Sequence, residues 1–145
     1  MPPEIFIDLV QCKLQLQEEG KVIKAYPVAV GAKQTPSPVG VYSITNKAHW
    51  GGAFGTRWMQ LSVPWGTYGI HGTNRPASIG QQVSHGCIRM HNRDVEEVYE
   101  QVEVGTQVRI IGSFTYRLSV NGSRGSLVQL IQQALQEQGV LSRGM

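Results

Sequence analysis

Ile5-Phe6-Ile7-Asp8-Leu9, then Leu14-Gln15-Leu16-Gln17 and the turn Glu18-Glu19-Gly20-Lys21, form the stretch whose reading decides the fold. Apolar residues recur at every second position, which is the period of a strand with one face buried. The turn leads into a return strand over Val22 to Val30, so the chain opens on a hairpin. Downstream, Thr35-Pro36-Ser37-Pro38-Val39-Gly40 reads as a rigid loop, because each proline fixes φ and removes a donor. Val41 to Thr45, Trp58 to Ser62 and Tyr68 to His71 are further strand candidates, with a glycine-rich loop at Trp50-Gly51-Gly52-Ala53-Phe54-Gly55. Short strands at this spacing predict a mainly β domain, a sandwich or a barrel.

Two helices interrupt that pattern. Asp94-x-x-Glu97 resembles a capping box, and Val95, Val98, Tyr99 and Val102 make one apolar stripe behind it. A strand over Val108-Arg109-Ile110-Ile111 follows. After a second alternation (Phe114, Tyr116, Leu118, Val120) and an Asn121-Gly122 turn, a C-terminal helix starts at Ser126 and stops at Gly139.

A chain of 145 residues with 41% apolar and 16% charged side chains is large enough to bury a core without disulfides or metals. The net charge of +3 is spread along the chain, with no basic run interleaved with aromatics, which argues against a nucleic-acid partner. No stretch is long and apolar enough to span a membrane. Met1-Pro2-Pro3-Glu4-Ile5 lacks the basic and apolar regions of a signal peptide. Cys12 and Cys87 are too few and too far apart in sequence to read as a disulfide framework, so the count gives neither compartment nor crosslink; Cys12, in a strand-like stretch, reads as an inert packed thiol.

The chemistry concentrates in Tyr68-Gly69-Ile70-His71-Gly72-Thr73 and Ser84-His85-Gly86-Cys87-Ile88-Arg89-Met90, with Cys87 sixteen positions after His71. Thiolate is the reactive form of cysteine, and a histidine within reach can take the thiol proton and later give it to a leaving amine. No carboxylate is placed to orient the imidazole, so a backbone carbonyl such as that of Gly72 is the candidate. Gly86 permits a sharp turn that would let its N–H and that of Cys87 converge on an oxyanion. Arg89 suits a substrate carboxylate. These parts make up an acyl-transfer site.

On these residues the sequence resembles the L,D-transpeptidase (YkuD-type) catalytic domain. The likeness takes in His71-Gly72-Thr73 and Ser84 to Met90, and upstream Ile5 to Leu9, Tyr26 to Gly31 and Pro36 to Gly40. Downstream it includes Asn92-Arg93-Asp94-Val95 and Val104 to Val108, and so covers roughly residues 4–111. The family usually has threonine where Ser37 stands.

The resemblance implies a mainly β, sandwich-like fold with one short helix after the nucleophile, here followed by a C-terminal helix. It implies that Cys87 is the nucleophile, that His71 moves protons and that Gly72 lends its carbonyl to His71. Ser84, His85 and Gly86 would line the acyl site, and Arg89 would support the loop or the substrate. The expected reaction forms 3→3 crosslinks between peptidoglycan stem peptides, with a tetrapeptide donor, an amine acceptor and release of D-alanine. Hydrolysis of the same bond by an L,D-carboxypeptidase is the first rival, and a non-catalytic wall-binding module the second. A monomer outside the cytoplasm, at the cell wall or spore wall, and without cofactor is expected. Residues 1–111 would form the catalytic domain and 112–145 a strand-helix appendage, part of which resembles a peptidoglycan-binding module.

A metal centre is the competing use of these side chains. His71, His85, Cys87 and His91 are zinc-ligand types, yet neither Cys-x-x-Cys nor His-x-x-x-His on a helix is present, so no metal is expected. His49 and His91 read as surface or loop residues, and Trp50, Trp58 and Trp65 as core or cleft-wall aromatics.

Overall fold

A computed structural model describes residues 3–112. The second helix and nearly all of the 112–145 appendage lie outside them.

The hairpin forms as its alternation requires. β1 (Glu4–Asp8) pairs antiparallel with β2 (Lys13–Glu18), and β2 with β3 (Lys21–Gly31). Glu19 and Gly20 both take positive φ, +52° and +79°, the conformation that matches a two-residue turn to the twist of its strands. The β1–β2 connection is tied by Asp8 Oδ1, which accepts from the Val10 and Gln11 amides at 2.9 and 3.1 Å. Cys12 ends this turn at φ +54° instead of continuing a strand, and its thiol is buried there, with Sγ 3.8 Å from the Leu9 carbonyl.

β4 (Gly40–Ala48), β5 (Trp58–Leu61) and β6 (Gly69–His71) follow as antiparallel neighbours. Two three-residue strands, β7 (Gln82–Ser84) and β8 (Ile88–Met90), precede helix α1 (Asn92–Gln101), and β9 (Gln107–Ile111) inserts between β1 and β4. The strand order is β2-β1-β9-β4-β5-β6-β8-β3, and β3 pairs again with β2. The sheet therefore closes on itself. It is a barrel and not the sandwich-like arrangement expected. The reason is the eleven-residue β3, whose first part pairs with β2 while Val28 and Ala29 pair with β8. One strand thus belongs to both halves. β7 sits outside the ring, parallel to the end of β3.

The interior is filled by the inward residues of every strand, among them Ile5, Ile7, Leu14, Val28, Val30, Ile44, Met59, Ile70, Ile88, Met90, Val108 and Ile110. Val95, Val98 and Val102 of α1 join the same core, as their helical spacing anticipates. The helix starts at Asn92, two residues before the expected capping box. His91 is the N-cap and makes no side-chain cap, while its carbonyl accepts from the Val95 amide at 2.9 Å. Glu97 does not reach back to cap; it accepts from Lys24 Nζ at 2.7 Å and Tyr26 Oη at 2.6 Å, fastening the helix to β3. At the other end, Lys47 Nζ donates to the carbonyls of Tyr99 and Val102, both at 2.7 Å, satisfying acceptors that a helix C-terminus leaves open.

Candidate active site

β6 and β8 lie side by side and parallel, with Ile70 opposite Ile88 and His71 opposite Arg89. Side chains alternate along each strand, and residues paired across parallel strands share a face. Ile70 and Ile88 enter the core, so His71 and Arg89 occupy the other face. One step before β8, the same register puts Cys87 beside Gly69, on the face that carries His71. Thus two residues sixteen apart in sequence are brought together by one parallel pairing.

The imidazole is buried, 5% exposed. Its Nδ1 lies 2.5 Å from the Gly72 carbonyl oxygen, which can only accept, so Nδ1 carries the proton and Nε2 is the free basic nitrogen. Trp58 stacks on the ring at 5.7 Å and 24°, and Phe54 meets it edge-on at 5.2 Å and 75°. Trp50 stacks in turn on Trp58 at 4.8 Å. Burial lowers the His71 pKa, countered by the bond to Gly72 and reinforced by the Arg89 charge. Burial also raises the Cys87 pKa, countered by the Gly69 backbone and by Arg89. Both shifts favour the uncharged partners, a thiol and a neutral imidazole.

The Ser84–Cys87 turn is held from below. Gly86 has φ +119°, and a Cβ there would come within 2.6 Å of the Tyr68 ring. Ser84 is buried; its Oγ accepts from the Gly86 amide at 3.1 Å and donates to the Cys87 carbonyl at 2.6 Å. The Ser84 carbonyl accepts from Thr35 Oγ1 at 2.7 Å and from the Ala32 amide at 3.0 Å. Ser84 therefore braces the turn, and the Gly86 N–H expected to face an oxyanion is bonded to that serine. His85 is exposed at the tip and Arg89 is half-buried beside His71. His49 is exposed and packs its ring on Tyr99. Among the described residues, no three of His, Cys, Asp and Glu converge where a metal ion could be held.

Sequence reasoning missed several residues of this site. Trp58 and Phe54 read only as a core or wall aromatic and a loop residue, yet both touch the imidazole. Thr35, in the proline-rich loop, reaches the Ser84–Cys87 turn. Asn92 stands in the sequence only as part of the family likeness, ahead of the expected helix start at Asp94. Its Oδ1 accepts from the amides of Thr56 at 3.2 Å and Thr73 at 3.1 Å, partners 36 and 19 positions away, which no local pattern reveals.

Comparison with known proteins agrees with this geometry. The model of the L,D-transpeptidase catalytic domain, YkuD, matches residues 2–110. The chain is 48% identical over 111 residues to a Bacillus licheniformis protein named as the L,D-transpeptidase YkuD, covering 76% of this chain and 66% of that one. It is 37% identical over 125 residues to the Bacillus subtilis protein named as the L,D-transpeptidase YqjB, covering 74% and 70%. Among solved structures, the catalytic domain of the Enterococcus faecium L,D-transpeptidase superposes with a TM-score of 0.62 at 27% identity, covering 75% of this chain and 96% of that one. The chain spans about two thirds of the length of the YkuD relative it matches. With its histidine on β6 and its cysteine at the entry to the parallel neighbour β8 of a closed β domain, the chain belongs to the L,D-transpeptidase catalytic-domain family, whose members are cysteine acyltransferases.

Proposed function

We propose that residues 1–111 form an L,D-transpeptidase unit that makes 3→3 peptidoglycan crosslinks through a thioester on Cys87. The observation that carries this reading is the buried imidazole, fixed with its proton on Nδ1 and sharing a strand face with the cysteine. Because both groups rest uncharged, the sulfur gains its charge only as it attacks. Nε2 takes the thiol proton while sulfur bonds to the carbonyl that joins the third stem residue to D-alanine. The tetrahedral intermediate collapses, His71 returns the proton to the departing amine, and D-alanine leaves. The side-chain amine of a second stem then attacks the thioester, gives its proton to Nε2 and displaces the sulfur, which recovers that proton.

The charge on Arg89 favours the thiolate and suits an anionic group of the stem. Membership of this family supports a place at the bacterial cell envelope, in the cell wall or spore wall.

The test is incubation of the purified chain with a tetrapeptide stem, following intact protein mass and released peptides. The expected result is an acyl adduct mapped to Cys87, free D-alanine and a crosslinked dimer, all absent in Cys87→Ala. A parent protein that forms neither adduct nor D-alanine overturns the reading; tripeptide without dimer replaces crosslinking by hydrolysis.

A further inference from the structure

The orientation of His71 is itself held by something. The carbonyl it bonds belongs to the Gly72–Thr73 peptide, and the N–H of that same peptide donates to Asn92 Oδ1 at 3.1 Å. We propose that Asn92 is a positioning residue for the acyl transfer, acting on His71 through the Gly72–Thr73 peptide. The inference rests on the reaction proposed above and adds a member to its machinery: His71 Nδ1–H donates to Gly72 O, and Thr73 N–H donates to Asn92 Oδ1.

Three observations support it. Two peptide N–H groups, of Thr56 and Thr73, converge on one atom of the carboxamide, which identifies that atom as the oxygen. The seat is shaped for this group as well: a Cβ on Gly55 or on Gly72 would collide with Asn92 Oδ1, so both backbones approach only because they lack one. Lastly, the helix makes no use of the side chain. His91 is the N-cap, and asparagine has poor propensity inside a helix, so nothing local accounts for Asn92 at the first helical position.

A peptide group that donates at its nitrogen is polarised at its oxygen, so each bond in such a chain strengthens the next. Asn92 therefore makes Gly72 O a better acceptor and fixes its direction. That aims Nε2 and favours the imidazolium formed when Cys87 loses its proton. The same carboxamide ties the Gly55–Thr56 segment, and with it the Phe54 ring that lies edge-on to His71.

The charged and titratable groups around the chain come from three sides. Arg89 and Cys87 flank His71 from β8 and the turn before it. Glu96 of α1 accepts from Thr56 Oγ1 at 2.7 Å. Arg57, next to β5, accepts from the Gly72 amide through its carbonyl at 3.2 Å and holds its guanidinium over Tyr99.

The test compares the parent 145-residue chain with Asn92→Ala and Asn92→Asp in two measurements. One is an NMR titration of the His71 ring; the other is the acylation rate of Cys87 with a tetrapeptide stem, alongside thermal unfolding. Asn92→Asp keeps an oxygen for both amides and adds a negative charge at the end of the chain, so the His71 midpoint should move upward in a folded protein. Asn92→Ala frees the peptide and should slow acylation about ten- to a hundredfold, as expected for a misaimed catalytic group. The proposal is overturned if the folded Asp variant titrates as the parent does, or if Asn92→Ala lowers only the unfolding temperature and leaves the acylation rate of the folded protein unchanged. A parent that never acylates sinks the reaction instead, while a shifted His71 midpoint in the Asp variant would still establish the coupling.

Discussion

At the scale of single residues, the resting charge of the site is the informative quantity. Desolvation raises Cys87 and lowers His71, so the pair rests as thiol and imidazole and not as an ion pair. Alkylation of Cys87 by iodoacetamide should therefore climb as pH rises through and above the ordinary thiol range, with no reactive plateau on the acid side. Rates taken from acid to alkaline pH check this, and an acid plateau would show a preformed thiolate. Phe54 keeps water off one side of the ring. Replacing it in Phe54→Ala should relieve desolvation and move the His71 midpoint upward, read from the ring proton shifts. Cys87 and His71 stood out in the sequence because both lie in short motifs. The neighbours that set their charge did not: Trp58, Phe54 and Asn92 approach from other elements, and no spacing rule records such approaches. Ser84 and Gly86 were legible as parts of the turn but not in detail, since their mutual bond depends on the φ of +119° at Gly86.

At the scale of elements, helix α1 is instructive because its stripe was readable and its start was not. Val95, Val98 and Val102 face the core at the predicted spacing. The expected capping box failed because Glu97 has better partners in Lys24 and Tyr26, which lie more than seventy positions away. The C-terminal end depends on Lys47, whose ammonium serves two helix carbonyls and lies 4.0 Å over the Tyr99 ring. Lys47→Met keeps the aliphatic stem and removes both bonds, and should cost about 1–3 kcal/mol in urea unfolding. The three-residue strands β6, β7 and β8 are too short for a period to declare itself. β6 was found through its motif, whereas β7 and β8 were not recognised as strands at all.

At the scale of the whole molecule, closure was left open by the sequence, which allowed a sandwich or a barrel. What decided between them was the length of β3 and its change of partner from β2 to β8, a matter of register that alternation does not carry. The shared core makes the fold cooperative, so Leu14→Ala, a fully buried position on β2, should destabilise by about 2–5 kcal/mol. Stability should also follow pH in a definite sense. The folded His71 has a lowered pKa, so below the ordinary imidazole range the unfolded chain binds a proton that the native chain refuses. Stability contributed above that range is lost as pH falls toward the folded value. Cys87, raised, gives the opposite limb: above the ordinary thiol range the unfolded chain releases a proton first, and stability falls again. Melting temperatures should peak between the two limbs, and His71→Gln should remove the imidazole share of the acid limb. The parallel pairing of β6 with β8 has a separate consequence for how this domain tolerates change. Cys87 and His71 share a face because neighbouring strands keep their register, while within the span between them Asn74 to Ala77 cross the rim exposed. Extra loop there would lengthen the journey without moving either terminus, leaving the rim free to vary in size and composition among descendants of one catalytic frame.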